Sequence, residues 1–276
     1  SASKIAKWNG STWSALGSGL DNASGTAVNA LVANGNDVYV GGYFTQAGGS
    51  AAASLAKWNG TSWSAMGTDA ATYVSALAVS GNNLYIGGSI ATAGGATVSN
   101  IAKWNGSSWT GLGLEINTSI SALSVSGNDV YAGGAFTVAT NSGGPSIMAN
   151  RVSKWNGSSW SALGSGMNEA VFALVVSGGT LYAGGAFTSA GGKLSAYVVK
   201  ANISGLPFPG RFSNPLYSPT NGFSCMFVDA SVGQPYRIQT LSSLAAGPWT
   251  DFTNFTYTGP TTILEASVGV GTNKFF

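Results

Sequence analysis

Histidine is absent from this 276-residue sequence, and cysteine occurs once, at Cys225. Zinc sites built from cysteine and histidine, histidine-dependent catalytic triads and intramolecular disulfide bonds are therefore excluded. A single cysteine is most often a small buried hydrophobic residue, and we predict that role for Cys225 rather than a reactive thiol. No metal ion and no cofactor are expected.

Charged side chains are also scarce. Lysine and arginine number 11 and aspartate and glutamate 9, or 7% of the sequence, where about 25% is usual in soluble domains. The net charge of +2 includes no cluster of basic residues, so nucleic acid is not an expected partner. The acidic residues are scattered singly along the sequence, with no neighbour to share acid–base chemistry, so we predict that the protein is not an enzyme.

Long hydrophobic runs are missing as well. No apolar segment approaches the roughly 20 residues that cross a bilayer, so membrane insertion is not expected. The first residues, Ser1-Ala2-Ser3-Lys4, lack the apolar core of a secretory signal. We interpret the sequence as a mature chain whose targeting segment, if it had one, was removed, and we predict an extracellular location, secreted or at the cell surface.

The sequence is rich in aromatic residues and contains an internal repeat. Nine tryptophans, ten tyrosines and twelve phenylalanines predict a folded rather than a disordered chain. The motif Lys-Trp-Asn-Gly recurs four times at spacings of 50, 46 and 51 residues, and a second tryptophan follows each first one by five residues. The tryptophans of the repeat are Trp8, Trp13, Trp58, Trp63, Trp104, Trp109, Trp155 and Trp160.

A second conserved block lies between the tryptophan motifs: an apolar run, a turn rich in glycine and asparagine, and a tyrosine-containing run that ends in two glycines. The paired glycines are Gly41, Gly42, Gly87, Gly88, Gly133, Gly134, Gly184 and Gly185. We interpret them as positions where neighbouring backbones approach closely near a crowded axis. The tryptophans are predicted to supply apolar area for packing between repeats.

Each period is predicted to form two hairpins. Asn-Gly between the two tryptophan strands predicts a type I′ turn, in which both central residues have positive φ. Gly-Asn or Gly-Gly predicts the turn between the apolar strand and the tyrosine strand. Four antiparallel strands in roughly 45 to 50 residues is the size of one β-propeller blade.

At these residues the sequence resembles the Kelch-like β-propellers, whose repeat combines a diglycine in its second strand with aromatic residues in its third and fourth strands. The resemblance covers about residues 5 to 203 and extends to repeat proteins secreted by environmental bacteria, although tryptophan stands here where tyrosine is usual. It implies an all-β propeller. Some Kelch-like propellers are copper oxidases, but this chain has no histidine to bind copper, so the resemblance implies the fold alone.

The strands do not divide evenly into blades. We name the apolar and tyrosine strands A and B, and the two tryptophan strands C and D. The sequence contains four A, four B and four D strands but five C strands, because residues 197–202 form a last C-like segment in which Ala201 replaces tryptophan. We predict about four four-stranded blades, closed by the N-terminal C–D hairpin, or five if the ring is open or is completed by a neighbouring subunit or the C-terminal module.

Three segments are predicted along the chain: propeller repeats at 1–204, a proline-rich linker at 205–221 and a small β-sandwich at 222–276. The last segment resembles the Ig-like or fibronectin-like modules of secreted bacterial proteins, notably at Tyr236 and Trp249. Its five predicted strands are fewer than the about seven of a complete sandwich, so we expect a further strand to come from the linker or elsewhere. The predicted strands are Phe223–Val228, Tyr236–Leu241, Trp249–Phe255, Thr261–Val268 and Lys274–Phe276.

Several polar residues recur in the repeat. Five lysines share one position, and we expect their stems to cover tryptophan faces rather than to form a charged binding ring: Lys7, Lys57, Lys103, Lys154 and Lys200. Asp37 and Asp129 lie in Gly-Asn-Asp turns, which explains them without calcium. Of eight Asn-x-Ser/Thr sequons, four coincide with the hairpin Asn-Gly turns, so Asn22, Asn117 and Asn254 are the better candidates for glycosylation.

Two functions from different classes fit these observations. We predict a non-catalytic structural protein that assembles with copies of itself, as a filament or surface layer, through strand pairing between subunits. A surface with few charges offers little repulsion between copies, and an unmatched strand can pair with another chain. The alternative is a glycan-binding propeller lectin or adhesin, although the recurrent tryptophans resemble packing residues more than exposed platforms.

Overall fold

The computed structural model describes residues 2–21, 25–67 and 73–203 with their side chains, and five further strands between 211 and 266 by their backbone alone. Every regular element of this described part is a β-strand, so the predicted all-β class is confirmed there. Within the same part of the chain, no helix is long and apolar enough to span a membrane. Strands are numbered along the chain.

Three antiparallel sheets have four strands each, paired in the order A-B-C-D. Sheet 1 contains β3 (Ala27–Asn34), β4 (Asp37–Tyr43), β7 (Leu55–Trp58) and β8 (Trp63–Ala65). Sheet 2 contains β9 (Tyr73–Ser80), β10 (Asn83–Ser89), β13 (Ile101–Trp104) and β14 (Trp109–Gly111). Sheet 3 contains β16 (Ile120–Ser126), β17 (Asp129–Gly134), β20 (Val152–Trp155) and β21 (Trp160–Ala162).

The two ends of the repeat region differ from these sheets. Sheet 4 has three strands, β22 (Val171–Ser177), β23 (Thr180–Gly185) and β26 (Val198–Asn202), so the fifth C-like segment lies beside the last B strand. The N-terminal C–D hairpin, β1 (Ala6–Trp8) and β2 (Trp13–Ala15), pairs with no other strand in the described part of the chain. The closure predicted for this hairpin is therefore not made within the described chain.

Short strands between B and C complete each repeat. They are β5 (Gln46–Ala47), β6 (Ser50–Ala51), β11 (Thr92–Ala93), β12 (Ala96–Thr97), β18 (Val138–Thr140), β19 (Ser146–Met148), β24 (Ser189–Ala190) and β25 (Lys193–Leu194), while a further short strand, β15 (Glu115–Ile116), lies between the D strand of sheet 2 and the A strand of sheet 3 and pairs with β18. Sequence analysis did not predict them, because strands of two or three residues are too short for an alternating pattern. The bridge between Leu20 and Ala47 ties one such hairpin to the segment before sheet 1.

The two kinds of turn have different geometries. The A–B turn of sheet 1 has Gly35 at φ +60°, as a glycine turn requires. The C–D loop is four residues long, because Trp58 pairs directly with Trp63, and of its residues only Gly60 has positive φ. The predicted type I′ turn was therefore wrong: Asn59 Oδ1 accepts hydrogen bonds from two backbone amides of the loop instead, at 2.9 and 2.8 Å.

The two glycines of each pair are required for two separate structural reasons. The A–B ladder has a bulge, since Gly87 pairs with Ala76 and Gly88 with Val74. A Cβ on Gly88 would overlap the carbonyl oxygen of Tyr73, whereas a Cβ on Gly87 would lie 2.7 Å from Ile120 Cγ2 of sheet 3. The second glycine therefore permits the bulge, and the first permits close approach of the next sheet.

Successive sheets pack face to face along their A strands. Strand β3 packs on β9, β9 on β16 and β16 on β22. Between sheets 2 and 3 the apolar contacts bring Ala78 and Tyr85 against Ile120, Leu123 and Val125. The fold is therefore propeller-like, built from small antiparallel sheets whose facing sides form the core.

The chain divides into two compact units, Ser1–Ala201 and Asn202–Phe276. The second contains β27 (Arg211–Ser218), β28 (Gly222–Val228), β29 (Pro235–Thr240), β30 (Thr250–Thr256) and β31 (Thr262–Ala266). They form one sheet in the order β27-β28-β31 and a second of β29 and β30. Strands β28 to β31 correspond to four predicted strands, and the one predicted at Lys274–Phe276 lies outside the described residues.

Strand β27 lies inside the segment predicted as a linker and pairs with β28, so this segment contributes the further strand that the C-terminal module was expected to take from the linker or elsewhere. Proline normally interrupts a sheet ladder because it has no N–H to donate. Here the pairing with β28 passes from Ser213 directly to Leu216, so Pro215 stands in an irregular, unpaired step. The proline-rich composition therefore conceals a strand.

Candidate functional site

The second tryptophan of each C–D hairpin joins one repeat to the repeat before it. Its indole Nε1 donates a hydrogen bond to the backbone carbonyl that follows the preceding D strand. These bonds run from Trp63 to Leu16 (2.7 Å), from Trp109 to Met66 (2.9 Å) and from Trp160 to Leu112 (2.8 Å). Besides the packing role predicted for them, these tryptophans thus form a hydrogen bond between repeats, and this bond recurs three times.

The two tryptophans within each hairpin also contact each other, with ring centroids 5.3 to 5.4 Å apart in all four hairpins. Their exposure differs with position. Trp160 is 2% exposed, whereas Trp13, in the N-terminal hairpin, is 68% exposed. Trp13 donates to no acceptor in the described part of the chain, so the first hairpin holds an unused copy of the donor that joins the repeats.

The first glycine of each pair marks the face that receives the next A strand. A Cβ on Gly41, Gly87 or Gly133 would press on a valine or isoleucine of the following sheet. Among the described residues, Gly184 of sheet 4 has only Tyr197 O and Ala173 Cβ nearby, at 3.7 and 3.9 Å. The face of sheet 4 is therefore open where the equivalent faces of sheets 1 to 3 are covered.

Side chains at the ends of the A strands set the register between sheets. Asn34 Nδ2 donates to the carbonyl of Gly81 at 2.8 Å, and Ser80 Oγ donates to the carbonyl of Gly127 at 2.9 Å. Each bond runs from the last residue of one A strand to the glycine of the next A–B turn. The sheets are thus aligned by the same contact in two successive junctions.

The stack therefore has two exposed apolar faces. We call the side of sheet 1 that carries Leu31 the first end face, and the side of sheet 4 that carries Val175, Tyr182 and Gly184 the last end face. Leu31 is 56% exposed, whereas its equivalent in sheet 3, Leu123, is 8% exposed. Val175 and Tyr182 are 55% and 40% exposed.

Comparison with sheet 3 shows that the last end face lacks a following sheet to cover it. Tyr131 is the equivalent of Tyr182 and is only 1% exposed, because sheet 4 covers it. Burial raises the pKa of Tyr131. The two end faces are thus the two halves of a junction that the chain forms internally three times.

Three of the recurrent lysines, Lys57, Lys103 and Lys154, place their ammonium groups beside a tyrosine or an aspartate, and the expected cover of tryptophan faces by the lysine stems stays a prediction. Lys57 Nζ lies 2.7 Å from Asp37 Oδ2 and 5.8 Å from the ring centroid of Tyr39. Lys154 forms the same ion pair with Asp129, at 2.7 Å. The hydrogen bond to the aspartate raises the pKa of each lysine. The cross-strand partner of the lysine is the B-strand tyrosine, which places it beside the aspartate at the start of that strand.

In the first, third and fourth repeats, the residue that precedes the A strand and organises a loop is Asp21, Asn117 or Asn168. Asn117 Oδ1 accepts from the amides of Thr137 and Val138, and its Nδ2 donates to Thr137 Oγ1. Asn168 makes the same contacts with Thr188 and Ser189. Asn117, a predicted glycosylation candidate, is thus a loop-organising residue with an exposed side chain. Asn22 lies outside the described residues, and Asn254 lies in β30, where only the backbone is described, as does Cys225 in β28.

A shallow concavity of about 470 Å³ lies beside the C–D hairpin of sheet 2. Its lining includes Trp104, Trp109, Ser107 and Ser108. No group of three or more aspartate, glutamate, cysteine or histidine side chains that could hold a metal ion occurs in the described part of the chain. The concavity offers aromatic faces and hydroxyl groups, the chemistry that contacts sugars.

Sequence reasoning found the tryptophans and glycines but missed their partners. The acceptors Leu16, Met66 and Leu112 contribute a backbone carbonyl, which no side-chain pattern reveals. Alignment of the repeats would have placed these residues, together with Leu163, at one position after the D strand. The A-strand ends Asn34 and Ser80 could have been found in the same way.

The chain has only low similarity, in sequence and in structure, to the known proteins with which it was compared. No protein-family model and no curated protein sequence matches the chain. Among solved structures, the computationally designed Ika8 protein matches with a TM-score of 0.41 and 15% identity, over 85% of this chain and 63% of that one. The designed Ika4 protein matches with a TM-score of 0.40 and 18% identity, over 66% of this chain and 94% of that one. The chain thus spans less than two thirds of the Ika8 chain.

Proposed function

We propose that this protein is a non-catalytic extracellular structural protein that assembles with copies of itself. The observation that carries the proposal is the complementarity of the two end faces. Leu31 is 56% exposed on one, and Tyr182 is 40% exposed on the other, although both belong to positions that are buried at an internal junction. Exposed apolar surface of this kind marks an interaction site in soluble proteins.

The scarcity of charge supports the same proposal. Only 7% of the residues are charged, and the net charge is +2, so copies repel one another weakly. The two ion pairs of the repeat, Lys57 with Asp37 and Lys154 with Asp129, neutralise four of these groups internally. Copies can therefore approach closely at ordinary ionic strength.

The proposal also includes the number of blades and the fold of the C-terminal unit. We take the repeat unit to be a Kelch-like propeller segment of four blades, the fourth completed only on assembly, and the second unit to be a small Ig-like module. A head-to-tail contact between unlike faces produces a filament when its rotation does not close, and a ring when it does. A filament or surface layer is the expected product.

The solution size of the purified 276-residue protein tests the proposal. We expect light scattering to give a mass that rises with protein concentration, and negative-stain electron micrographs to contain regular polymers. A single monomeric species over the whole accessible concentration range, with no polymers on the grids, would reject it.

The concavity at Trp104 and Trp109 favours a second candidate, a glycan-binding function. Aromatic rings with neighbouring hydroxyl groups are suited to stack on a sugar and to hydrogen-bond its edges. A glycan-array signal that is abolished by Trp104→Ala, and retained in Trp155→Ala at the equivalent position of sheet 3, would support it. An array without signal would remove this candidate.

A further inference from the structure

The end faces and the N-terminal hairpin together specify how two copies would join. We propose that the hairpin β1–β2 of one copy takes the C and D positions beside β23 of a second copy, in place of β26, and brings its sheet 1 onto the last end face. This inference rests on the proposed function and names the contact that produces assembly.

The hairpin has the features of a C–D unit that follows a B strand. Its residues Ala6-Lys7-Trp8-Asn9-Gly10 match the C–D hairpin of sheet 2, Ala102 to Gly106, residue for residue. Lys4, before β1, has φ +64°, like Asn100 before β13 at +66°. The hairpin is thus preformed for pairing along its β1 edge, which is unpaired in the described chain.

The last repeat offers the acceptor that Trp13 lacks. Leu163 follows the D strand of sheet 3, as Leu16 follows β2. The carbonyl of Leu163 accepts the amide of Gly166 at 3.1 Å, and that of Leu16 accepts the amide of Gly19 at 3.0 Å. Leu16 also accepts the indole of Trp63, whereas Leu163 accepts no indole in the described part of the chain. Trp13 of an incoming copy would donate its indole N–H to the carbonyl of Leu163.

Strand β26 occupies the C position poorly. Val198 is 66% exposed, whereas the equivalent Leu55, Ile101 and Val152 are each no more than 1% exposed. Ala201 stands where the other C strands have tryptophan, and no D strand pairs beside it in the described chain. The hairpin would place Ile5 where Val198 stands and Trp8 where Ala201 stands, and Trp8, which is 49% exposed in the single chain, would supply the tryptophan that β26 lacks.

A second copy is the occupant, because in the described part of the chain the hairpin pairs with no strand of sheet 4. Within the chain the hairpin is held on sheet 1, where Ile5 and Leu16 pack with Val40 and Phe44. Sheets 2 and 3 lie between sheet 1 and sheet 4 in the stack. Both end faces stay exposed, so the hairpin and sheet 1 are presented outward together.

A reversible lock on β26 tests the exchange. The hydrogen bond from the amide of Gly185 to the carbonyl of Tyr197 matches that from Gly88 to Asn100, so Tyr182 and Lys200 should face each other as Tyr85 and Lys103 do. Tyr182→Cys with Lys200→Cys, in a Cys225→Ser background, would hold β26 in place by a disulfide bond. We expect oxidation to prevent assembly and reduction to restore it. The matched control is Tyr85→Cys with Lys103→Cys, which joins the same positions within sheet 2 and should assemble in both states.

A mixing experiment identifies the partner strand. Chains with Lys7→Cys and chains with Tyr182→Cys, both in the Cys225→Ser background, are mixed and oxidised. We expect a covalent heterodimer, because Lys57 and Tyr39 are directly opposite in the equivalent B–C pairing within sheet 1. A disulfide formed within single chains that carry both substitutions, at high dilution, would instead show that the hairpin closes its own chain and would overturn the proposal.

Gly184→Ala tests the face contact without a redox step. Among the described residues of the single chain its added methyl group makes ordinary contacts at 3.7 Å or more, but it would press on Val28 of the incoming copy, because a Cβ on the equivalent Gly133 lies 2.6 Å from Val171 Cγ1. We expect association about tenfold weaker with unchanged folding, and no change for Gly144→Ala on an exposed loop.

Polymers that persist with β26 locked and without the heterodimer would reject this contact and leave the proposed function standing. Absence of any polymer in the unmodified protein would reject the proposed function itself.

Discussion

The two glycines at the end of each B strand look alike in the sequence but respond to different neighbours. The second permits the bulge, because a Cβ there would overlap a carbonyl oxygen of its own sheet. The first faces the following sheet, so its requirement for glycine depends on whether that sheet is present. One residue type therefore serves local geometry at one position and packing at the next.

This difference predicts opposite outcomes for one substitution at two equivalent positions. Gly87→Ala places a methyl group 2.7 Å from Ile120 Cγ2, and we expect it to reduce the free energy of unfolding by about 1–3 kcal/mol. Gly184→Ala meets nothing closer than 3.7 Å and should leave stability nearly unchanged. Urea denaturation of the monomeric protein measures both. Equal losses at the two positions would contradict the assignment of an open last end face.

Asp21 occupies the place that asparagine holds in the third and fourth repeats. Burial acts to raise the pKa of its carboxyl group, but hydrogen bonds from the hydroxyl and amide of Thr45, and from the hydroxyl of Thr26, outweigh burial and hold the pKa below its ordinary value. A lowered folded-state pKa stabilises the protein above the unfolded-state value. That contribution disappears as the pH falls through the folded-state pKa.

We therefore predict that Asp21→Asn flattens the pH dependence of stability at acid pH. The amide can make the contacts that Asn117 makes with Thr137, so stability near neutral pH should change little. The free energy of unfolding, measured from neutral pH to about pH 3, should fall less in the variant than in the unmodified protein. Parallel curves for the two proteins would show that Asp21 contributes nothing to the acid dependence.

Among the elements, the C–D hairpins depend on one side chain each. Asn105 Oδ1 accepts from the amides of Ser107 and Ser108, both at 2.9 Å, and so holds a loop of four residues between two short strands. Asparagine and aspartate are suited to this capping, because their short side chains reach backbone groups two and three residues ahead. The motif Lys-Trp-Asn-Gly is therefore a capped loop, with glycine at the one position of positive φ.

We predict that Asn105→Ala destabilises the protein by about 1 kcal/mol, since two loop amides lose their acceptor and turn to water. Asn105→Asp keeps an acceptor oxygen and should stay within about 0.5 kcal/mol of the unmodified protein. Thermal denaturation of the two variants checks this. A larger loss for Asn105→Asp than for Asn105→Ala would show that the amide group, rather than its oxygen, is required.

At the scale of the whole molecule, the repeat unit is a series of sheets whose main contacts run between successive sheets. Stability in such an array is close to a sum over repeats and junctions, so the interior should be more stable than the ends. Sheets 2 and 3 have a neighbour on both faces, whereas sheets 1 and 4 each present an exposed face. Opening should therefore begin at the ends.

Hydrogen exchange of the monomeric protein tests this gradient. We expect the amides of β10 and β17 to be protected most, and those of β22, β23 and β26 to exchange faster. Assembly through the last end face should slow exchange in β22 and β23. Uniform protection over the four sheets would indicate a closed ring in place of an open stack.

Much of the fold could be predicted from local patterns. The four-strand repeat, the packing tryptophans and the paired glycines follow from periodicity, since one sheet forms from consecutive strands joined by short turns. The lysine contacts could not be predicted, because Lys57 meets Tyr39 and Asp37 only through the register between strands β4 and β7. A further strand from the linker was expected, but the bounds of β27 were not predicted, because its proline lies in an irregular step that depends on the partner strand.

The sequence by itself determined the repeating unit and the positions at which repeats contact one another, because those depend on residues close together in the chain. Only the tertiary structure decided which C strand lies beside β23. Strand β26 follows β23 after a short connection, whereas the N-terminal hairpin precedes it by most of the repeat region and is held on sheet 1. Pairing with the near segment loses less chain entropy, even though that segment buries less apolar surface. That competition leaves both ends of the stack open.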